Sequence, residues 1–139
     1  MLTGKFAVDA SVLVAIFKGE LERYEFEHIL TKGDWIIGWP TLLEVGIWLI
    51  RNQPSRPQIF LDEIKADHTV DLIAFNGPLE QIASQAYAQF GKGRHPAKLN
   101  YGDCMAYAVA KYQDVPLLFK GADFGLTDVK LHEASVITG

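Results

Sequence analysis

The sequence predicts an α/β fold: a parallel sheet covered by helices on both faces. Three observations point there. Short apolar runs of strand length, Lys5–Val8, Trp35–Gly38 and Pro116–Phe119, read as buried strands. Amphipathic or alanine-rich stretches of helix length separate them. The 139 residues carry no internal repeat, low-complexity tract or linker, so one domain is expected over 1–139.

Each element has its own signal. Lys5-Phe6-Ala7-Val8 is a first strand that runs into Asp9. Ser11 to Phe17 is helical until Gly19 interrupts it, and Leu21 to Leu30 is an amphipathic helix stopped by Gly33. Trp35 to Gly38 is a second strand. Thr41 to Arg51 is a strongly apolar helix, 52–57 a loop, and Gln58 to Ala66 another helix. Thr69 to Phe75 alternates as a strand does, and Leu79 to Phe90 follows as a helix. Gly91 to Lys98, glycine-rich and basic, is a loop. Asn100 to Tyr112 is an alanine-rich helix, Pro116 to Phe119 a strand, and Ser135 to Ile137 a last short strand.

Composition limits the function classes. Apolar residues make up 49% and charged residues 22%, an ordinary globular balance. No apolar run reaches the ~18 residues of a membrane span, and residues 1–5 lack the apolar stretch of a signal peptide. The one cysteine, Cys104, precludes an intrachain disulfide and fits a cytoplasmic setting. Net charge is -4, from 17 acids and 13 bases, which argues against coating nucleic acid by bulk charge. An enzyme with an acidic, cation-filled site remains compatible, because four acids in one cleft would equal the whole excess.

Ligand sites in parallel α/β folds form at the carboxyl ends of the strands, and four acids fall there. Asp9 follows the first strand, Glu44 lies in the first turn of the helix after the second, and Asp123 follows the 116–119 strand. Asp103 opens the helix that feeds that strand. Each also has a plain structural reading. Asp9 can cap the helix that starts near Ala10. Thr41-Leu42-Leu43-Glu44 matches a capping box. Asp103 sits where the helix dipole favours an acid, and Asp123 is a common turn residue. Context adds weight to function. Glu44 is the only charge between Asp34 and Arg51, and Asp103 precedes an apolar run, 104–110, that belongs in a core. Half-buried carboxylates at one edge repel, so protons, basic residues or cations must neutralise them. Oxygen-only ligands select hard cations such as Mg²⁺ or Mn²⁺.

Other candidates carry less. His28, His68, His95 and His132 have no metal-ligand spacing. Trp35, Trp39 and Trp48 can stack bases, although core packing is the commoner use. Gly91-Lys92-Gly93 lacks a full phosphate-loop pattern.

These residues resemble the PIN-domain family, and within it the VapC-like toxins of bacterial toxin–antitoxin pairs. The resemblance runs in order through Val8-Asp9-Ala10-Ser11, Pro40-Thr41-Leu42-Leu43-Glu44, the stretch Gly93 to Cys104, and Leu118-Phe119-Lys120-Gly121-Ala122-Asp123-Phe124. It implies a parallel α/β/α sandwich and a Mg²⁺-dependent endoribonuclease. Asp9, Glu44, Asp103 and Asp123 fall on the family's acidic positions as catalytic and metal-holding residues, and Ser11 on a small hydroxyl position. Asp128 is a candidate supporting acid or a solvated turn residue. A cognate antitoxin is the implied partner.

The chemistry suits this set. In-line attack on a phosphodiester builds charge on its oxygens, and a bound metal both activates water and stabilises that charge. Water then replaces the RNA 2′-OH as nucleophile, and 5′-phosphate and 3′-hydroxyl ends are expected. The basic stretch Lys92 to Lys98 leads directly into Asn100 and Asp103. Arg94, with Lys92 and Lys98, is a candidate RNA contact, and a solvated loop is the alternative. Phe17, Tyr24, Phe26, Trp48 and Leu49 exceed what one face of each helix needs, which suggests an antitoxin groove and a homodimer, or simply core. Three rival functions stay open. One is an aspartyl-phosphate phosphatase using Asp9, although Ser11 stands where that chemistry wants a second aspartate. The others are a non-catalytic RNA- or antitoxin-binding module and a DNA nuclease.

Overall fold

The computed structural model describes residues 4–55 and 57–139. The reading of residues 1–3, and position 56 of the expected 52–57 loop, lie outside the described residues. In chain order the elements are β1 (Phe6–Val8), α1 (Ala10–Lys18), α2 (Arg23–Lys32), β2 (Trp35–Gly38), α3 (Trp39–Asn52), α4 (Pro57–Ala66) and β3 (Val70–Ile73). They continue with α5 (Gly77–Phe90), α6 (Tyr101–Gln113), β4 (Leu117–Leu118), β5 (Lys120–Gly121), a 3₁₀ turn at Phe124–Leu126, and β6 (Val136–Ile137).

Four strands form a parallel sheet in the order β3-β2-β1-β4, and β5 pairs in parallel with β6 beside it. The side-chain period of two sorts the core. Phe6, Val8, Trp35, Ile37 and Leu118 point to the face covered by α1 to α4. Ala7, Ile36, Leu117 and Phe119 point to the face covered by α5 and α6. Strands buried on both faces must be apolar throughout, which is why they read as continuous runs in the sequence. At the end of β2 a Cβ on Gly38 would come within 3.0 Å of Val109 Cγ2, so glycine there lets α6 lie close over the sheet. No helix among the described residues is long and apolar enough to cross a membrane.

Two expectations change. The capping box at Thr41 and Glu44 does not form: α3 starts two residues earlier, at Trp39, with Pro40 in its first turn. Proline already holds the helical φ and lacks the N–H a cap would satisfy. Thr41 Oγ1 is consequently buried without a partner. The suggested groove also dissolves in part. Phe26 and Leu49 are fully buried, and Phe17 packs its ring against Phe60 at 4.4 Å. Of the five, Tyr24 alone is well exposed, at 68%. The apolar surface instead follows Leu43, Ile47 and Ile50 along the outer side of α3, with Ile59 on α4.

These placements make opposite predictions for neighbouring residues of one helix. Leu49→Ala should lower unfolding free energy by about 2–5 kcal/mol through cavity formation. Leu43→Ala should stay within about 0.5 kcal/mol of the parent, as outward-facing substitutions do. Urea unfolding of both variants checks this, and similar losses at the two positions would contradict the packing.

Candidate active site

Asp9 is set by the sheet. β1 carries it to the carboxyl edge, where its N–H donates to the Leu118 carbonyl at 3.0 Å. Its carboxylate accepts the Ser11 N–H at 3.1 Å and so caps α1. It is 7% exposed. Burial pushes its pKa up; bonds from the Ser11 hydroxyl and amide and from the Ala10 amide pull it back, and the Asp123 charge raises it again. The Ser11 hydroxyl also accepts the Lys120 N–H at 3.0 Å, tying the segment before Asp123 to α1.

Asp103 is held by the start of α6. The Asn100 side chain accepts the Asp103 N–H at 2.8 Å, and Asp103 Oδ2 accepts the Asn100 N–H at 3.0 Å, a reciprocal capping box. The expected box thus lies at this helix rather than at α3. Burial raises the Asp103 pKa against the pull of the Asn100 amide, and the charges of Asp9 and Asp123 raise it further.

Glu44 projects from the second turn of α3. Loss of hydration, then repulsion from Asp9, pushes its pKa up to about 7. Glu44 as a whole is exposed, so water screens its outer side; the dehydration is at the inner side, where the carboxylate is pressed onto Gly102. A Cβ at 102 would stand 2.7 and 2.8 Å from its two oxygens. Glycine at that position is what gives Glu44 its place.

The four carboxylates and Ser11 line one cleft of about 240 Å³, with Trp48 and Phe124 as apolar walls. Lys120 also lines it, but its ammonium is drawn to Glu20 and Glu22, at 3.1 and 2.8 Å. The basic group nearest the acids is therefore already paired. Among the described residues, no three His, Cys, Asp or Glu side chains close around one point as a finished ligand shell. Magnesium does not need one: it keeps several waters and takes one or two carboxylates. An all-oxygen donor set fits such a cation, with Asp9, Glu44, Asp103 and Asp123 as candidate ligands.

The remaining sequence candidates lie elsewhere. Asp128 does not line the cleft; it accepts the Tyr107 hydroxyl and, at 3.3 Å, the Lys111 ammonium, tying the 127–130 segment to α6. Lys92, Arg94 and Lys98 line a shallow depression of their own. Their loop is ordered by buried Ala97 and Leu99, by a bond from Lys92 N–H to the Leu99 carbonyl at 2.9 Å, and by His95 Nδ1 accepting the Ala97 N–H at 3.0 Å. His132 is buried against Phe6 and accepts the Ala134 N–H at 3.0 Å, a packing role. Trp35 is core, and Trp39 is 44% exposed beside Lys65. Sequence reading missed Gly102 and Lys120. A glycine inside a helix's first turns costs about 1 kcal/mol against alanine and so hints at a close approach. Nothing local announces Lys120, whose partners lie about a hundred residues away.

Residues 6–130 match the family model described as the PIN domain. The chain is 37% identical over 126 residues to Ribonuclease VapC30 of Mycobacterium tuberculosis, covering 88% of this chain and 94% of that protein. It is 34% identical over 127 residues to Ribonuclease VapC42 of the same organism, covering 88% and 95%. Among solved structures, VapC20 of Mycobacterium tuberculosis, described as a Sarcin-Ricin loop cleaving toxin, superposes with a TM-score of 0.74 at 16% identity, covering 89% of this chain and 95% of that one. A toxin-antitoxin complex from Klebsiella pneumoniae superposes with a TM-score of 0.68 at 18% identity, covering 95% and 99%. At those identities the structures bear on the fold alone.

The raised Glu44 pKa has a signed consequence. Its carboxyl titrates near 4.5 when unfolded and near 7 when folded. The stability it contributes when protonated is complete below the lower value and is lost as pH rises through the upper one. The metal-free protein should therefore lose thermal stability between pH 5 and 8 relative to Glu44→Gln. His132, whose pKa burial lowers, acts in the opposite sense but equally in both proteins. Parallel melting-temperature profiles for the two proteins would remove Glu44 from the strained set.

Proposed function

This chain belongs to the PIN domain family, and from that premise we propose that it is a Mg²⁺-dependent endoribonuclease, the toxin of a VapBC-type pair, acting in the cytoplasm. The observation that carries the reading is the convergence of Asp9, Glu44, Asp103 and Asp123 on one cleft at the sheet's carboxyl edge. Relatives named ribonucleases over most of the chain support the substrate class.

Bound between these carboxylates, Mg²⁺ or Mn²⁺ supplies charge neutralisation for the phosphodiester and lowers the pKa of an attacking water. The protein's part is to place and tune the oxygens. Asp9, welded to β1 and β4 through its backbone, is the fixed point. Asp103 spends one oxygen on its cap and leaves the other for the cleft. Glu44, seated on Gly102 with a pKa of about 7, is poised to accept a proton during attack. Ser11 keeps Asp9 and the Lys120 backbone in register. The phosphatase reading has no support here, because Ser11 stands where that chemistry wants a second carboxyl.

An antitoxin and a second copy of the chain are the proposed partners. The stripe Leu43, Ile47 and Ile50 has the i, i+4, i+7 spacing that receives an amphipathic helix.

Two experiments test the proposal. Incubation with total RNA in Mg²⁺ should give fragments with 5′-phosphate and 3′-hydroxyl ends. EDTA or Asp9→Asn should abolish cleavage, and Mg²⁺ should raise the melting temperature of the parent by mass action. Persistence of cleavage in EDTA would refute the metal site. Gly102→Ala should keep the fold yet lower cleavage about tenfold or more, since its methyl displaces Glu44; wild-type rates in that variant would remove Glu44 from the mechanism.

A further inference from the structure

A pocket of about 870 Å³ lies beside the acidic cleft. One face of α5 and the first turn of α6 bound it, and its walls include Phe75, Tyr87, Tyr101 and Met105, with Glu80 and Lys92 as charged members. The turn that opens α6 is a shared wall. Tyr101, Cys104 and Met105, at the i, i+3, i+4 spacing, face this pocket. Asp103 faces the acidic cleft, and Gly102 bears the Glu44 carboxylate. On the far side, Lys92 lines both this pocket and the depression formed with Arg94 and Lys98. Carboxylates, an apolar aromatic pocket and a basic loop are thus contiguous in that order.

We propose that this pocket receives one unpaired nucleobase of an RNA strand whose adjoining phosphodiester lies in the acidic cleft. The proposal rests on the ribonuclease reading of that cleft. The order of surfaces matches one nucleotide: the reacting phosphate at the carboxylates, the base between the tyrosines, and the next phosphate at Lys92 and Arg94. Tyr101 is 78% exposed and Tyr87 is 42% exposed, so both rings offer faces for stacking. Tyr87 is held in place by its hydroxyl, which donates to the Lys92 carbonyl at 3.3 Å. Glu80, bonded to the Ser84 hydroxyl, repels phosphate but accepts hydrogen bonds from amino groups. That wall therefore suits a base, whose N–H groups the Glu80 carboxylate can accept. A base paired in a duplex cannot turn into such a pocket, so single-stranded loops are the substrate form. The adjoining cationic loop fits a polyanion better than it fits an apolar protein helix.

The test uses the full chain in EDTA with short oligoribonucleotides carrying a single 2-aminopurine, as single strands and as duplexes. Expected are quenching by the single strand only and a loss of affinity of about tenfold in Tyr101→Ala, recovered in Tyr101→Phe. Lys92→Ala should make the salt dependence shallower by about one contact. Equal binding of duplex and single strand, absence of quenching, or an unchanged Tyr101→Ala would overturn the proposal. So would conversion of a dimer to monomers by Tyr101→Ala with unaltered RNA affinity, which assigns the pocket to a second copy. Cleavage of total RNA in Mg²⁺ separates the two readings. Cleavage by wild type and Tyr101→Ala at one rate removes the base pocket and keeps the nuclease. Tyrosine-dependent single-strand binding without any cleavage keeps the pocket and removes the nuclease.

Discussion

Mutual repulsion among carboxylates gathered at one sheet edge is the constraint that the rest of this structure serves. Asp9 is buried, and burial and like charge both act against its ionised form. Such a cluster persists only if something stiffer than a side chain holds each member. Asp9 is fixed by its place at the end of β1 and a backbone bond to β4, Asp103 by a two-way cap, Glu44 by contact with a glycine, and Asp123 by a segment tied to Ser11. The local devices that build the fold are therefore the same ones that confine the charges. A parallel sheet suits this task, because its strand ends and helix starts meet at one edge without long loops.

The two helical layers divide the labour. The α5–α6 side supplies most of the second core around Tyr107, Val109 and Phe119, and its α6 carries Asp103 into the cleft. The α1–α4 side contributes Glu44, and it turns an apolar stripe outward. A partner on that stripe would lie on the same helix as a cleft carboxylate, so occupancy and cleft geometry are mechanically linked through α3. Aromatic and basic residues gather instead at the α5–α6 side, adjoining the acids. The clustered negative charge of the cleft thus lies next to a small basic surface.

Much of this was legible in the sequence. The strands were, because burial on both faces leaves no room for polar residues and makes 6–8, 35–38 and 117–118 apolar throughout. The four acids were, because the strand-edge rule depends on element order rather than on precise boundaries. Helix starts were less so. Thr41 and Glu44 have the composition of a capping box, but Pro40 lets α3 begin earlier, and a proline's effect on register outweighs a side-chain preference. The outward face of α3 was misassigned for a related reason: beginning the helix at Trp39 leaves Leu49 inside and Leu43, Ile47 and Ile50 outside. An apolar helix gives few polar markers from which to read its phase.

What the sequence could not supply were contacts between distant residues. Lys120 stands three places before Asp123, and charge counting along the chain would pair it with the cleft. The fold instead brings Glu20 and Glu22 to it and removes that charge from the site. Among the described residues that line the cleft, no unpaired basic side chain is left to offset the carboxylates. Glu44 is the member whose charge depends most plainly on pH, ionising as pH rises through about 7. Had Lys120 been free to reach the carboxylates, its ammonium would offset part of their negative charge. The pairing of one lysine with two glutamates on the rim is thus as much a part of the site's chemistry as the carboxylates it leaves exposed.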